Sequence, residues 1–134
     1  MTFEEFLVER ALTTKPVEPH HSENMILFIR TGNIEDLETD LNAGGDPNWD
    51  YSNGWRPLHY AVREENMDII DLLLKHGANP NIQNDMGQTP LHLAYIIKGR
   101  DKNIELLLKN GANPNIKDNK DRLPIDLKWE KRNA

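Results

Sequence analysis

The chain repeats a unit of 33 to 34 residues, and this repetition restricts its fold more than any other feature. Residues 56–61, Arg-Pro-Leu-His-Tyr-Ala, return 33 positions later as Thr-Pro-Leu-His-Leu-Ala at 89–94. A second segment at 72–81, Leu-Leu-Leu-Lys-His-Gly-Ala-Asn-Pro-Asn, returns at 106–115 with a single change. A fixed period of this length indicates stacked supersecondary units that share one continuous core.

Each full unit is predicted to contain two helices between turns. In the third unit the turn at 84–88 includes Gly87, which can take the positive φ that such turns require. Thr89 precedes Pro90, a pair that favours a helix start because threonine caps free amides and proline at the first helical position sacrifices no donor. Leu91 and Ala94 follow at helical spacing, which predicts a first helix.

The second helix of the unit carries an apolar stripe of Ile104, Leu107 and Leu108 and is expected to end at Gly111. Its counterpart in the second unit runs from about Met67 to Lys75. Helices of this length do not persist alone. Each unit must therefore bury its apolar face against its neighbours, with a gain of roughly 1.5–3 kcal/mol for each fully buried large side chain.

The pattern Pro-Leu-His-x-Ala followed by Leu-Leu-Leu-x-x-Gly-Ala-x-x-Asn resembles the ankyrin repeat over about residues 22 to 132. The resemblance implies an all-α repeat fold, an ankyrin-type α-solenoid of stacked helix-turn-helix units joined by β-hairpin-like loops. The expected divisions are an N-terminal segment at 1–20 and a repeat domain at 21–134, with repeats at about 22–50, 51–83 and 84–117 and a half-repeat at 118–132.

The two ends of the array differ from its middle. Thr39 and Asp40 stand where the second unit has leucines, which suits an end unit with one polar flank. The last unit has a single predicted helix, from Pro124 to about Lys131. The N-terminal segment has a possible short helix at 2–12 and then a proline-containing linker, and it could pack over the first unit, be disordered or contact a partner.

Composition narrows the function. The formal net charge is −6, and an acidic chain repels nucleic acid unless its bases are gathered on one face. The chain has no cysteine, which excludes disulfides and thiolate metal ligands. No apolar run approaches the roughly 20 residues that span a bilayer, and the N-terminus does not resemble a secretory signal. We expect a monomer in the cytoplasm, without nucleic-acid or membrane partners.

The histidines are the first candidates for catalysis, but a structural role fits them better. His59 and His92 occupy the signature position of the repeat, where the resemblance implies a ring that bonds neighbouring backbone and links adjacent hairpins. His20 and His21 are predicted to lie in the linker, and two ligands without a third convergent group make a poor zinc site. A metal-dependent enzyme that uses this pair with the acidic loops is the weaker alternative; otherwise no catalytic, cofactor or metal residue is predicted.

Aromatic residues near one turn point to binding. Trp55 stands where the next copies have Gln88 and Arg122, so the repeat itself does not require an indole there. Large aromatics on exposed turns often anchor interfaces. Trp49 and Tyr51 flank the same turn and have two possible roles, contact with a partner or packing on the first unit.

The resemblance implies partner binding through the hairpin tips and the concave face formed by the first helices. Carried over by position, the predicted binding residues are Ser52, Asn53, Trp55, Arg63, Glu64, Asp85, Met86, Gln88, Ile96, Ile97, Asn119, Lys120 and Arg122. Trp49 and Tyr51, which flank the first turn, and Arg100, next to the two isoleucines, are added to them. Ile96 and Ile97 are apolar where the second unit is charged, which predicts an apolar docking patch bordered by Lys98 and Arg100.

The leading interpretation is a non-enzymatic protein-protein interaction module acting as an inhibitor, immunity protein or adaptor. The net charge favours a partner with a basic face. Trp55→Ala, together with charge reversals at Arg63 and Arg122, is expected to weaken binding without changing the melting temperature. In the alternative interpretation the chain is a modification substrate, because Asn81 and Asn115 match the position at which asparagine in ankyrin-like repeats can be hydroxylated.

Overall fold

The computed structural model describes residues 18–97 and 101–128, and the side chains from residue 24 onward within these ranges. This part of the chain contains six α-helices and one 3-10 helix. They are α1 (Glu18–Thr31), α2 (Ile34–Asn42), α3 (Pro57–Arg63), α4 (Met67–Lys75), α5 (Pro90–Ile96), α6 (Asp101–Lys109) and the 3-10 helix η1 (Pro124–Leu127). None of these helices is long and apolar enough to cross a membrane.

The helices stack in two rows. The inner row is α1, α3, α5 and η1, each packed against the next, and the outer row is α2, α4 and α6. Each outer helix also packs against the inner helix of its own unit. This arrangement confirms the predicted all-α, ankyrin-type helical repeat fold.

The core lies between the two rows and continues through all the units. Leu37, Leu58, Leu73, Leu91 and Leu107 come from successive helices and are 0–1% exposed. The small residues Ala61 and Ala94 are also fully buried, in the inner helices α3 and α5. A shared core of this kind explains how helices of seven to nine residues hold together.

One part of the core prediction is wrong. Leu108 was assigned to the buried stripe of α6, but it is 40% exposed. Leu107 and Ile104 point toward the core, whereas Leu108 lies one position further round the helix. The outer row therefore presents a large apolar side chain to solvent.

The helix starts follow the predicted capping chemistry. Thr89 Oγ1 accepts a hydrogen bond from the backbone N–H of His92 at the start of α5, and Pro90 occupies the first position of that helix. Asn66 caps α4 through its side-chain oxygen in the same way.

Two boundaries differ from the sequence prediction. Helix α1 begins at Glu18, so the backbone of His20 and His21 is helical rather than part of a linker; Pro19 is compatible with this because it falls in the first turn, where no N–H bond is lost. The possible helix at 2–12 lies outside the described residues.

The last element is a short 3-10 helix that ends at Leu127, not a helix to Lys131. Its turn closes through the Lys128 N–H to the Ile125 carbonyl, three residues back, and Lys128 itself is no longer helical (φ −53°, ψ 131°). Residues beyond 128, including Trp129, lie outside the description.

Candidate interaction surface

Three hairpin tips project from the same edge of the stack. We define them as tip 1 (51–55), tip 2 (84–88) and tip 3 (118–122). In each tip the first residue donates a backbone hydrogen bond to the carbonyl of the fifth, at 3.0 Å in tip 1 and 2.9 Å in tips 2 and 3. Tips 2 and 3 share one turn, in which the N–H of the fourth residue bonds the carbonyl of the first and only the fourth residue has a positive φ. Tip 1 turns differently: the Trp55 N–H bonds the Ser52 carbonyl, and both Asn53 and Gly54 have a positive φ.

Neighbouring tips are bonded to each other. The Asp85 N–H donates to the Asn53 carbonyl (2.9 Å), and the Asn119 N–H donates to the Met86 carbonyl (3.0 Å). Gly54 and Gly87 permit this approach: both have a φ of 75°, and a Cβ at Gly54 would lie 2.7 Å from the backbone nitrogen of Asp85. The tips form one ribbon with a fixed backbone.

The two signature histidines hold the tips to the inner helices. His59 Nδ1 accepts from the Arg56 N–H (3.1 Å), and its Nε2 bonds the Gln88 carbonyl of the next tip (2.9 Å). His92 repeats the arrangement with the Arg122 carbonyl (3.0 Å). Since a carbonyl only accepts, Nε2 carries the proton in both rings. The structural role implied by the resemblance is confirmed.

Burial fixes the charge state of His59. Its ring is fully buried, and burial, with a smaller contribution from the Arg56 charge, lowers its pKa from 6.5 to about 4 despite the opposing bond to the Gln88 carbonyl. A neutral ring is the form that can accept from Arg56 while donating to Gln88.

Asparagine side chains form a second link between units. Asn48 Oδ1 accepts from the Asn79 N–H (2.7 Å) while its Nδ2 donates to the Gly77 carbonyl (3.2 Å). Asn81 does the same in the next unit, accepting from the Asn113 N–H (2.6 Å) and donating to the Gly111 carbonyl (3.1 Å). Asn115 stands at the same position in the third unit and is exposed.

Trp55 is half-buried and belongs to an aromatic cluster. Its ring centroid lies 5.1 Å from that of Tyr60 and 5.6 Å from that of His59. The Arg63 guanidinium carbon lies 5.4 Å from the Trp55 centroid and 5.1 Å from the Tyr60 centroid. The indole therefore contributes to the packing of tip 1 on α3, which the sequence did not predict.

Tyr51 packs on the first unit. Its ring meets Tyr60 edge-on at 5.8 Å. Burial raises the pKa of its phenol well above the ordinary value, and a hydrogen bond with the backbone of Ile26 in α1 offsets only part of this rise. Of the two roles left open for Tyr51, the structure favours packing; Trp49 is half-buried as well.

Gln88 and Arg122 were predicted to face a partner, but each instead braces its own tip. Gln88 is only 7% exposed, and its side-chain oxygen accepts from Asn84 Nδ2. Arg122 donates to the buried Asp118 from Nε (2.9 Å) and from Nη2 (2.8 Å). Burial of Asp118 acts to raise its pKa, but hydrogen bonds from the backbone and side chain of Arg122 and from the Lys120 backbone outweigh it and lower the pKa.

The other predicted tip residues are exposed: Ser52, Asn53, Asp85, Met86, Asn119 and Lys120. Met86 is 53% exposed, a large apolar side chain on a rigid turn. At the ends of the inner helices Arg63 and Glu64 are exposed, whereas Ile96 and Ile97 are half-buried. Arg100 and Lys98 lie outside the described residues, so the predicted border of the isoleucine patch is not described.

The sequence analysis missed the contribution of α1 to this surface. Leu27 is 57% exposed, and Arg30 is exposed one turn later. Counting back 33 residues from Tyr60 and Arg63 leads to Leu27 and Arg30. That register was available in the sequence, but Asn24 and Ile26 replace the signature proline and histidine and obscure the first unit.

Within the described residues no group of three or more His, Asp or Glu side chains is placed to hold a metal ion. The side chains of His20 and His21 are not among those described. The histidines that are described in the core have both ring nitrogens engaged by the backbone. The exposed groups of the tips and inner helices form a broad surface suited to contact.

Comparison with known proteins agrees with this architecture. A family model described as Ankyrin repeats (3 copies) matches residues 25–118, which is more than half of the chain. A search of curated proteins finds no match.

Proposed function

Because this chain belongs to the ankyrin repeat family, whose repeats are generally protein-protein interaction modules, we propose that it binds a partner protein. The binding surface is formed by the three tips and the exposed side of the inner row. The family is typically non-enzymatic. A protein of this kind acts by occupying a surface of its partner, so the proposed roles are inhibitor, immunity protein or adaptor.

The observation that carries the proposal is the contrast between backbone and side chains at the tips. The backbone is fixed by hydrogen bonds from tip to tip, while Asp85 and Met86 and their counterparts in the other tips are exposed. A surface whose backbone is already ordered loses less conformational entropy when it binds. Exposed side chains on a rigid ribbon are thus suited to recognition.

We further propose that the chain acts as a monomer in the cytoplasm. The net charge of −6 was the reason to expect a partner with a basic face. That expectation concerns long-range attraction between whole molecules. Much of the acidity lies in the outer row, where α2 carries Glu35, Asp36, Glu38 and Asp40 and no basic residue. Net charge therefore does not determine what touches the tips.

The proposal is tested by affinity purification with the intact protein, followed by identification of the retained protein and measurement of its affinity. Met86→Asp, at the exposed end of tip 2, is expected to weaken binding of the retained protein. Leu108→Asp, in the outer row, is the matched control, since it also places a carboxylate on an exposed apolar position. Equal loss in both variants, or loss with Leu108→Asp alone, would remove the proposed surface.

A second candidate function, modification of an asparagine, is favoured at one of the two predicted positions. Asn81 uses both ends of its amide to join two units, whereas the described residues make no such link to the Asn115 side chain, which is exposed. Asn115 is therefore the more accessible substrate for hydroxylation. Intact-mass measurement of protein from its native source should show the gain of one oxygen atom, absent in Asn115→Gln; an unmodified mass would remove this candidate.

A further inference from the structure

The inner helices of the first two units expose two arginines, although the whole chain is acidic. At the C-terminal ends of α1 and α3 the exposed charged side chains are Arg30 and Arg63, the latter followed by Glu64 and Glu65. The corresponding positions in α5 are the apolar Ile96 and Ile97. The concentrated acidity of α2 belongs to the other row. A partner segment lying on α1, α3 and α5 meets these arginines and apolar groups, and the same surface also exposes the carboxylates of Glu64, Glu65 and, on tip 2, Asp85.

The Arg63 guanidinium is positioned by two aromatic rings in a way that suits anion binding. Its guanidinium lies over the rings of Trp55 and Tyr60, at 5.4 and 5.1 Å from their centroids. A stacked guanidinium keeps its N–H edge free to form paired hydrogen bonds with a carboxylate. Its nearest acid, Glu64, is 3.5 Å away with both side chains substantially exposed, an ion pair that contributes little and can be exchanged.

Arg30 occupies the equivalent position one unit earlier. It is exposed in the last turn of α1, and no ion pair among the described residues includes it. Arg30 and Arg63 stand at equivalent positions of the neighbouring inner helices α1 and α3, and packed helices lie about 8–10 Å apart. One short segment can reach both.

Apolar groups accompany the two arginines. Leu27 is 57% exposed beside Arg30, and Tyr60 is half-buried beside Arg63. Further along the stack the surface becomes apolar, with Ile97 at the end of α5 and Met86 on tip 2. The side chains of the surface thus change along the stack: arginines lie in the first two units, and large apolar side chains follow in the third.

We propose that the segment bound here is an acidic peptide stretch of a partner protein, with carboxylates on Arg30 and Arg63 and apolar side chains on Leu27 and toward Ile97 and Met86. This inference rests on the proposed function and replaces the expectation of a basic face at the contact itself. Three inner helices at the spacing of packed helices span about 20 Å, which matches roughly 6 residues of extended chain or 13 of helix.

The test is selection of binders from a random library of displayed 16-residue peptides with the intact protein as bait. Peptides that are enriched are synthesised, and their affinities are measured for the native protein and for variants. The expected result is enrichment of Asp and Glu together with aliphatic or aromatic residues. Arg30→Glu should lower the affinity for these peptides by about tenfold, which is the effect of losing one hydrogen bond to a charged group.

Glu38→Arg is the matched control, since it changes charge by the same amount with the opposite sign on the exposed surface of α2. It is expected to leave affinity nearly unchanged. Thermal unfolding of both variants shows whether they remain folded. Enrichment of Lys and Arg, with binding weakened by Glu38→Arg and not by Arg30→Glu, would overturn the inference.

Two further variants separate this inference from the proposed function. If the selected peptides are basic but still bind Leu27→Ala and Met86→Ala more weakly, the proposed surface stands. Only its preference for acidic peptides would then be overturned. Peptides that are indifferent to Leu27→Ala, Met86→Ala and Arg30→Glu, or a selection that enriches nothing, would overturn both.

Discussion

The inner and outer rows come from the same repeats, yet they expose different kinds of side chain. Both rows contribute fully buried residues to the core, such as Leu58 from the inner row and Leu73 from the outer row. The inner row and its tips then present arginines, aromatic rings and Met86, whereas α2 in the outer row exposes the carboxylates of Glu35, Asp36 and Glu38. Burial is thus shared between the rows. Met67 and Leu108 are exposed on the outer row, but the exposed arginines of α1 and α3 and the cluster of Trp55 and Tyr60 belong to the inner row and its tips.

The largest expected effect concerns the shared core. Leu107→Ala should lower the free energy of unfolding by about 2–5 kcal/mol, because Leu107 is fully buried and truncation leaves a cavity. Leu108→Ala, its exposed neighbour, should cost less than about 1 kcal/mol. Urea denaturation measures both. Equal losses would contradict the burial of Leu107 and the exposure of Leu108 in α6.

The next effect is a dependence of the free energy of unfolding on pH, which is caused by His59 in the inner row. His59 has a pKa of about 4 in the folded chain, against 6.5 unfolded, so between these values the unfolded chain binds more protons. Its contribution, about 3 kcal/mol, is complete above pH 6.5 and is lost as the pH falls toward 4. Urea denaturation across this range should show the loss.

His59→Gln is the control for that dependence. It should be less stable than the native chain at neutral pH, but its stability should change little between pH 6.5 and 4.5. Asp118 contributes in a different window: its pKa is lowered in the folded chain, so its stabilisation is lost only at more acidic pH. An unchanged slope in His59→Gln would assign the dependence to another group.

A smaller effect is expected at tip 1. Trp55→Ala should lower the free energy of unfolding by about 1–2 kcal/mol, because the indole packs on Tyr60 and lies under the Arg63 guanidinium. This revises the sequence-based expectation of an unchanged melting temperature. Ser52→Ala, an exposed change in the same tip, should leave the melting temperature unchanged in thermal unfolding. If Trp55→Ala matches Ser52→Ala, the aromatic cluster contributes no stability.

The smallest effect on stability, with a clear effect on binding, is expected at Leu27. Leu27→Ala should change the free energy of unfolding by no more than about 0.5 kcal/mol, since the side chain is mostly exposed. Its affinity for a protein captured by the intact chain should fall, whereas Leu108→Ala should bind normally. Calorimetric titration separates them, and the reverse pattern would place binding on the outer row.

The elements that repeat were predictable, because their chemistry is local and is written more than once. Thr89 with Pro90 implies a helix cap, the signature histidines imply bonds to the next tip, and Leu73 and Leu107 imply buried positions. The structure contains all three features. The start of α1 was not predictable in this way, because the first unit lacks the signature proline and histidine.

The roles of the variable tip residues were harder to predict for a physical reason. Trp55, Gln88 and Arg122 differ in chemistry, and this difference suggested a free surface. In the structure each is matched to its own surroundings: the indole to Tyr60 and Arg63, the amide to Asn84, and the guanidinium to Asp118. A variable position can therefore be structural when its partner varies with it, which one chain alone does not show.

Hydrogen-deuterium exchange of the intact chain, free and bound to a captured partner or a selected peptide, tests the division between the two rows most directly. Binding through the proposed surface predicts slower amide exchange in the tips at 51–55 and 84–88 and at the ends of α1, α3 and α5. The outer helices α4 and α6 should exchange at unchanged rates. Protection confined to α2, α4 and α6 would contradict the proposed surface.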